Sequence, residues 1–173
     1  MALFPPLNED AAEVRRLLAP LRNDLSIAIY NHGNPFSVGG IIRVAHSFLV
    51  REIFVIGSEP FYEKASMGMH RFETIHRLEH HSSFLQRIEG RPLWAIEKDR
   101  ATRSLFAVDQ YPRDVVLLFG SERGGLPDAL LSRADAIIGI PMYGVNHSFP
   151  VAVAAGMVLC DWARRRYAPG TTL

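Results

Sequence analysis

Apolar positions along the chain gather into short, nearly continuous runs separated by stretches with helical spacing. Leu25–Tyr30 (LSIAIY) reads as a buried strand, Glu52–Ile56 (EIFVI) as a second and Thr74–Leu78 as a short third. Leu93–Ile96, Val115–Phe119 and Ala136–Ile140 are three further apolar strands. Asn8–Leu21 carries Ala11, Val14, Leu17 and Leu18 at helical spacing, starts acidic and ends at Arg15, Arg16 and Arg22. Asn8 suits its N-cap and Pro20 its stop. Val38–Leu49 and Ser82–Ile88 read as helices, and Ser148–Arg166 as the longest helix. Gly57–Arg71 is irregular, and its Ala65–His70 stretch (ASMGMH) reads as a substrate loop ahead of a packed turn as the alternative. Apolar strands alternating with helices predict an α/β fold: a mostly parallel sheet covered by helices on both faces. No repeat, low-complexity tract or linker interrupts the pattern. Residues 1–173 therefore read as a single domain with a short helical extension at 1–22.

The last helix departs from ordinary amphipathicity. From Phe149 to Leu159 it is apolar all round: Val151, Ala154, Val158 and Trp162 share one face, while Val153 and Met157 occupy another. A surface helix normally shows water a polar face. The pattern predicts that one side packs on the sheet and the other on a partner subunit, with a helix sandwiched inside the same domain as the alternative.

Composition narrows the class. At 173 residues and 48% hydrophobic, the chain has room for one full core. No apolar run approaches the roughly 18 residues of a membrane span. Met1–Pro6 does not read as a signal peptide, so the expectation is a cytoplasmic protein with no membrane partner. One cysteine, Cys160, excludes an internal disulfide and any multi-cysteine zinc site, and reads as a small core residue. His76, His80 and His81 lack a supporting carboxylate pattern and read as a solvated polar segment; no metal site is expected. Net charge is only +1, but of 19 basic residues all except Lys64 and Lys98 are arginine. Guanidinium groups suit phosphates and stacked bases, although a GC-rich genome gives the same bias.

Candidate chemistry lies in three loops that follow apolar strands: Asn31–Arg43, Phe119–Pro127 and Ile140–Pro150. In open α/β sheets this edge is where ligands bind. Gly120–Gly125 lacks the Lys-Ser/Thr pair of a P-loop, and Gly33–Gly40 lacks dinucleotide spacing. Glu122 would repel a phosphate and attract a cation. A nucleoside-type ligand fits these loops better than a nucleotide phosphate.

Taken together, the loops carry a specific likeness. SVGGIIRVAHSF (37–48) resembles the first motif of the SpoU family of SPOUT methyltransferases. LLFGSERGGLP (117–127) resembles its second motif and IGIPMYGVNHSFPVAVAAGMVL (138–159) its third, in the family's order. The resemblance implies an α/β domain with a C-terminal trefoil knot, a homodimer, and S-adenosylmethionine as cofactor. It implies methylation of a ribose 2′-OH in tRNA or rRNA. The implied cofactor pocket is Ile96, Gly120, Glu122, Ile140, Met142 and Ser148, and the implied catalytic arginine is Arg43.

An arginine is too basic to act as the base. Arg43 suits gripping the neighbouring phosphate and stabilising developing oxyanion charge, with Ser148 or that phosphate relaying the proton. Ser37 would join Arg43 in substrate binding, and Glu122 and Ser148 also suit helix caps. Two positions depart from the family pattern. Ser37 stands where asparagine is usual, six residues before Arg43, and Pro150 stands where asparagine is usual, two after Ser148. A serine still hydrogen-bonds; a proline supplies no polar group but opens a helix readily. Asn34 and Asn146 lie near enough in sequence to compensate. The departures leave an alternative open: a non-catalytic RNA-binding relative of the same fold.

Overall fold

Strand side chains divide by parity between two apolar layers, because successive residues of a strand point to opposite faces. The computed structural model describes residues 10–166. In chain order these form α1 (Ala11–Leu18), β1 (Ser26–Tyr30), α2 (Pro35–Ser47), β2 (Ile53–Ile56), β3 (Ile75–Leu78) and α3 (His81–Arg87). There follow β4 (Leu93–Ile96), β5 (Arg103–Ser104), β6 (Val116–Phe119), α4 (Asp128–Leu131), β7 (Ala136–Gly139) and α5 (Val151–Arg166). The sheet order is β3-β2-β1-β6-β4-β7-β5 and every pairing is parallel. Ile27 of central β1 sits between Ile53 of β2 and Leu117 of β6.

On one face Ile27, Ile29, Leu117 and Trp94 pack with Ile41 and Ile42 of α2 and Ala155, Val158 and Trp162 of α5. On the other, Ala28, Phe54, Val116 and Leu118 pack with Phe84 of α3 and Leu130 and Leu131 of α4. A sheet with both faces covered accounts for strands that read as unbroken apolar runs. Here the expected layers and the expected strands agree with the structure.

Several boundaries differ from expectation. Asn8 lies outside the described residues; within them α1 begins at Ala11, and the Asp10 carboxylate accepts the Ala12 N–H at 3.0 Å as its cap. A 3-10 turn at Ala19–Leu21 containing Pro20 ends it. α2 starts at Pro35, ahead of Val38, because the Asn34 side chain accepts from the Phe36 and Ser37 amides and proline suits the first turn. α5 starts at Val151 rather than Ser148: the Pro150 carbonyl accepts from Val153 and Ala154. β5 and α4 escaped the sequence reading since each is too short to show a period.

Two expectations fail on burial. Cys160 is exposed rather than in the core. It lies on α5 in the stripe of Val153 and Met157, which are 45% and 36% exposed. His76 is half-buried: it pairs with Glu52 at 2.8 Å and stacks on Phe54, so only His80 and His81 of that trio are exposed. Ala65–His70 is a packed turn. Ser66 is fully buried and its Oγ donates to the Glu63 carbonyl at 2.7 Å, while Met67 stays exposed. Across the α5 face of the sheet, Tyr111 donates to Asp161 at 3.0 Å. Burial, and Asp161 beside it, push the Tyr111 hydroxyl up, so it remains a donor. Burial opposes ionisation of Asp161, but hydrogen bonds from Arg165, Arg164 and Tyr111 outweigh it and hold its carboxyl low. Among the described residues no helix is long and apolar enough to cross a membrane.

Candidate functional site

The C-terminal ends of β4, β6 and β7 are neighbours because β6 inserts between β1 and β4, and β7 between β4 and β5. Loops separated by many residues in sequence therefore open at one edge, as parallel sheets with such switches provide. A cavity of about 640 Å³ lies there, within the range of roughly 300–1,000 Å³ typical of small-molecule sites.

All six residues assigned to the cofactor line that cavity: Ile96 from the end of β4, Gly120 and Glu122 after β6, and Ile140, Met142 and Ser148 after β7. The glycine turn forming one wall is closed by paired backbone bonds between Ser121 and Gly125, both 3.0 Å. Close packing demands glycine in this turn. A Cβ at Gly120 would lie 2.7 Å from the Gly125 backbone, and Gly125 has φ +60°. A Cβ at Gly125 would also sit 2.7 Å from Glu97 Oε2. Glu97, which lines the cavity too, was not anticipated; its signal was a carboxylate directly after an apolar strand at this edge. The Lys98 ammonium donates to the His147 carbonyl, tying the loop after β4 to the loop after β7.

Glu122 joins the first and second motifs. The Ser37 hydroxyl donates to Glu122 Oε1 at 2.8 Å, and the Asn34 side-chain amide donates to Oε2. Ser37 is buried, whereas Glu122 is exposed at the cavity rim. Behind them Glu59 accepts the Gly33 amide at 2.8 Å and pairs with His32 at 3.2 Å. Two carboxylates from two other loops thus hold the loop that starts α2. Asn34 therefore takes part in this network, while Asn146 is exposed. Neither Glu122 nor Ser148 caps a helix in the described residues.

Arg43 stands apart from this cluster. It is exposed on α2, forms no ion pair among the described residues and does not line the cavity. Its helix reaches the cavity's far wall by packing on α5: a Cβ at Gly40 would lie 3.3 Å from Ala152. Among the described residues no three His, Cys, Asp or Glu side chains converge as for a metal.

A parallel sheet with a glycine turn and a cross-linked final loop around one edge cavity makes this an α/β domain with a small-molecule site at its ligand edge. The chain belongs to the SpoU rRNA methylase family, whose model matches residues 24–160. It is 29% identical over 167 residues to tRNA (guanosine(18)-2′-O)-methyltransferase of Thermus thermophilus, covering 92% of this chain and 86% of that one. It is 26% identical over 141 residues to the 23S rRNA (guanosine-2′-O-)-methyltransferase RlmB of Coxiella burnetii, covering 79% and 56% respectively. Among solved structures, the TrmH/SpoU tRNA modifying enzyme of A. aeolicus superposes with a TM-score of 0.78 at 25% identity, covering 90% of this chain and 82% of that one. The AdoMet-bound rRNA methyltransferase from Sinorhizobium meliloti gives 0.73 at 28% identity, covering 90% and 61%.

S-adenosylmethionine is the cofactor of this family, and the residues present suit it. Ile96, Ile140 and Met142 offer apolar walls for an adenine, and the glycine turn offers backbone groups at close range. The lining carries both signs of charge, Glu97, Asp99 and Glu122 with Lys98, Arg100 and Arg123, which suits a ligand that bears a sulfonium, an ammonium and a carboxylate.

Proposed function

We propose that this chain methylates a ribose 2′-OH of tRNA or rRNA, with Arg43, Glu122 and Ser148 as its working residues. One observation carries the reading: six residues from three distant loops line a single cavity, and Glu122 on its rim holds Ser37 and Asn34 of the loop that leads to Arg43. The tRNA and rRNA substrate class rests on the named activities of the Thermus and Coxiella relatives.

S-adenosylmethionine, when bound, supplies an electrophilic methyl group on a sulfonium. The protein's task is to position and activate the attacking oxygen. Arg43 grips the phosphate beside the target ribose and stabilises negative charge on the oxygen. Ser148, exposed at the cavity, or that phosphate takes the proton onward. Ser37 and Arg43 bind the substrate strand, and Glu122 sets the position of Ser37. Serine at this position keeps a hydrogen bond that alanine would lose, and Pro150 opens α5, so both departures fit a working enzyme.

The domain is single, acts in the cytoplasm and carries the family's trefoil threading after β7. It pairs with a second copy through the Val153–Met157–Cys160 stripe of α5, which leaves apolar surface exposed in one chain. Sedimentation of the wild type should give twice the chain mass, with Met157→Asp shifting it to one; a monomeric wild type removes the dimer.

Methyl-labelled S-adenosylmethionine incubated with bulk tRNA or rRNA tests the activity. Label should appear in 2′-O-methylnucleosides after digestion. Binding of cofactor and RNA with no label in any nucleoside would make the chain the non-catalytic relative.

A further inference from the structure

The stripe of α2 that carries Arg43 also carries an aromatic ring that neither the core nor the cofactor cavity uses. Phe36 is 60% exposed and touches Tyr62, itself 43% exposed. Their ring centroids lie 4.8 Å apart at a tilt of 51°. Two large rings in contact at the surface forgo burial that such side chains usually obtain. Their backbones are nevertheless firmly placed. The Phe36 amide donates to Asn34 Oδ1 at 3.1 Å, and the Tyr62 amide donates to the Pro35 carbonyl at 3.0 Å. Gly39 lets the Tyr62 loop lie so close that a Cβ there would sit 2.7 Å from the Tyr62 carbonyl and from Ala65.

The position of the pair is informative. Phe36 adjoins Ser37, whose hydroxyl is held by Glu122 at the cavity rim. Arg43 lies seven residues on, along the same stripe and about 10 Å further down the axis. Arg43, Lys64 and Arg123 are all exposed, and none forms an ion pair among the described residues. Arg123, on the cavity rim, reaches the loop that starts α2: a Cβ at Gly33 would lie 3.7 Å from its Cδ. Uncommitted cations around bare aromatic rings complement a polyanion with flat bases.

We propose that Phe36 and Tyr62 form a stacking platform for an unpaired nucleobase of the RNA, at or next to the methylated nucleotide. The proposal rests on the RNA-methyltransferase reading and adds the group that holds the strand. Stacking tolerates any base, because each presents a π face, while neighbouring cations take the phosphates. A base held on Phe36 places its strand along α2 towards Arg43. A second copy of the chain is the competing occupant. Subunit interfaces favour such rings too, but a second copy would bring the exposed, unpaired Arg43 and Lys64 against like charges, whereas a phosphate backbone complements them.

Phe36→Trp supplies a direct reporter, since the native Trp94 and Trp162 are buried at 5% and 4% exposure. Titration with bulk tRNA, and separately with bulk rRNA, should quench the fluorescence this substitution adds, with RNA affinity kept near wild type. Phe36→Ala and Tyr62→Ala should each weaken RNA binding about tenfold, with S-adenosylmethionine affinity unchanged. Absence of quenching, or unchanged RNA affinity in both alanine variants, overturns the platform. So does dissociation of a wild-type dimer by Phe36→Ala, which would assign the rings to a subunit interface. RNA binding is read without turnover, so a wild type that binds RNA but transfers no methyl fails the enzymatic reading alone.

Discussion

Arg43→Ala is expected to lower methyl transfer about 100-fold or more at saturating cofactor and RNA, while cofactor affinity stays within about twofold. The size follows from what the guanidinium does under the proposed mechanism. It contributes most when negative charge builds on the ribose oxygen, and one preorganised donor at such a charge is typically worth two to three orders of magnitude. The selectivity follows from geometry: Arg43 is exposed on α2 and absent from the cavity lining, so the cofactor's walls are untouched. Its removal also leaves no buried partner unpaired. Unfolding should therefore shift by no more than roughly 0.5 kcal/mol. Arg43→Lys should recover only part of the rate, because an ammonium cannot bind a phosphate bidentately. Full activity in the alanine variant would remove Arg43 from the reaction.

Glu73→Ala should give the largest loss of stability, about 3 kcal/mol. Glu73 is fully buried at its side chain, and its carboxylate binds Arg22 at 2.6 and 3.2 Å and His46 at 2.7 Å. Arg22 also donates to the carbonyls of Val50 and Phe72, both at 2.7 Å. One carboxylate thus ties together the approach to β1, the C-terminal turn of α2 and the segment before β3. Truncation leaves a largely buried guanidinium without its counter-charge, which costs about 3–5 kcal/mol in comparable pairs. The two retained carbonyl bonds place this case at the lower end. For a domain of this size the melting temperature should fall by about 6–12 °C, and by less in Glu73→Gln. A fall under about 2 °C would show that the network contributes little.

The strand pattern was legible because a sheet buried on both faces requires continuous apolar runs, and LSIAIY, EIFVI and VVLLF supply them. Positions at loop starts were legible for a related reason: a glycine or proline after such a run marks a chain leaving the sheet. Hence the three loops could be placed at the ligand edge, while the six residues that line the cavity were named from the SpoU resemblance those loops carry. The exposed second face of α5 was legible too, since Val153 and Met157 fall on a stripe that one sheet cannot bury. Cys160 was misplaced because small and apolar describes both a core and an unpartnered surface.

Local chemistry along the chain determined the elements and where the loops leave them, since each depends on neighbours a few residues apart, and the unbroken apolar runs required a sheet buried on both faces. Contacts across long separations were decided only by the tertiary structure. Ser37 and Glu122 stand 85 residues apart and Arg22 and Glu73 stand 51 apart, and no periodicity links either pair. Their meeting depends on where β6 inserts into the sheet and how the segment before β3 folds over α2. The same holds for Phe36 and Tyr62. Nothing in the sequence links the two, and only the packing of α2 against its neighbouring turn leaves both rings in contact and in solvent, on the stripe that leads to Arg43.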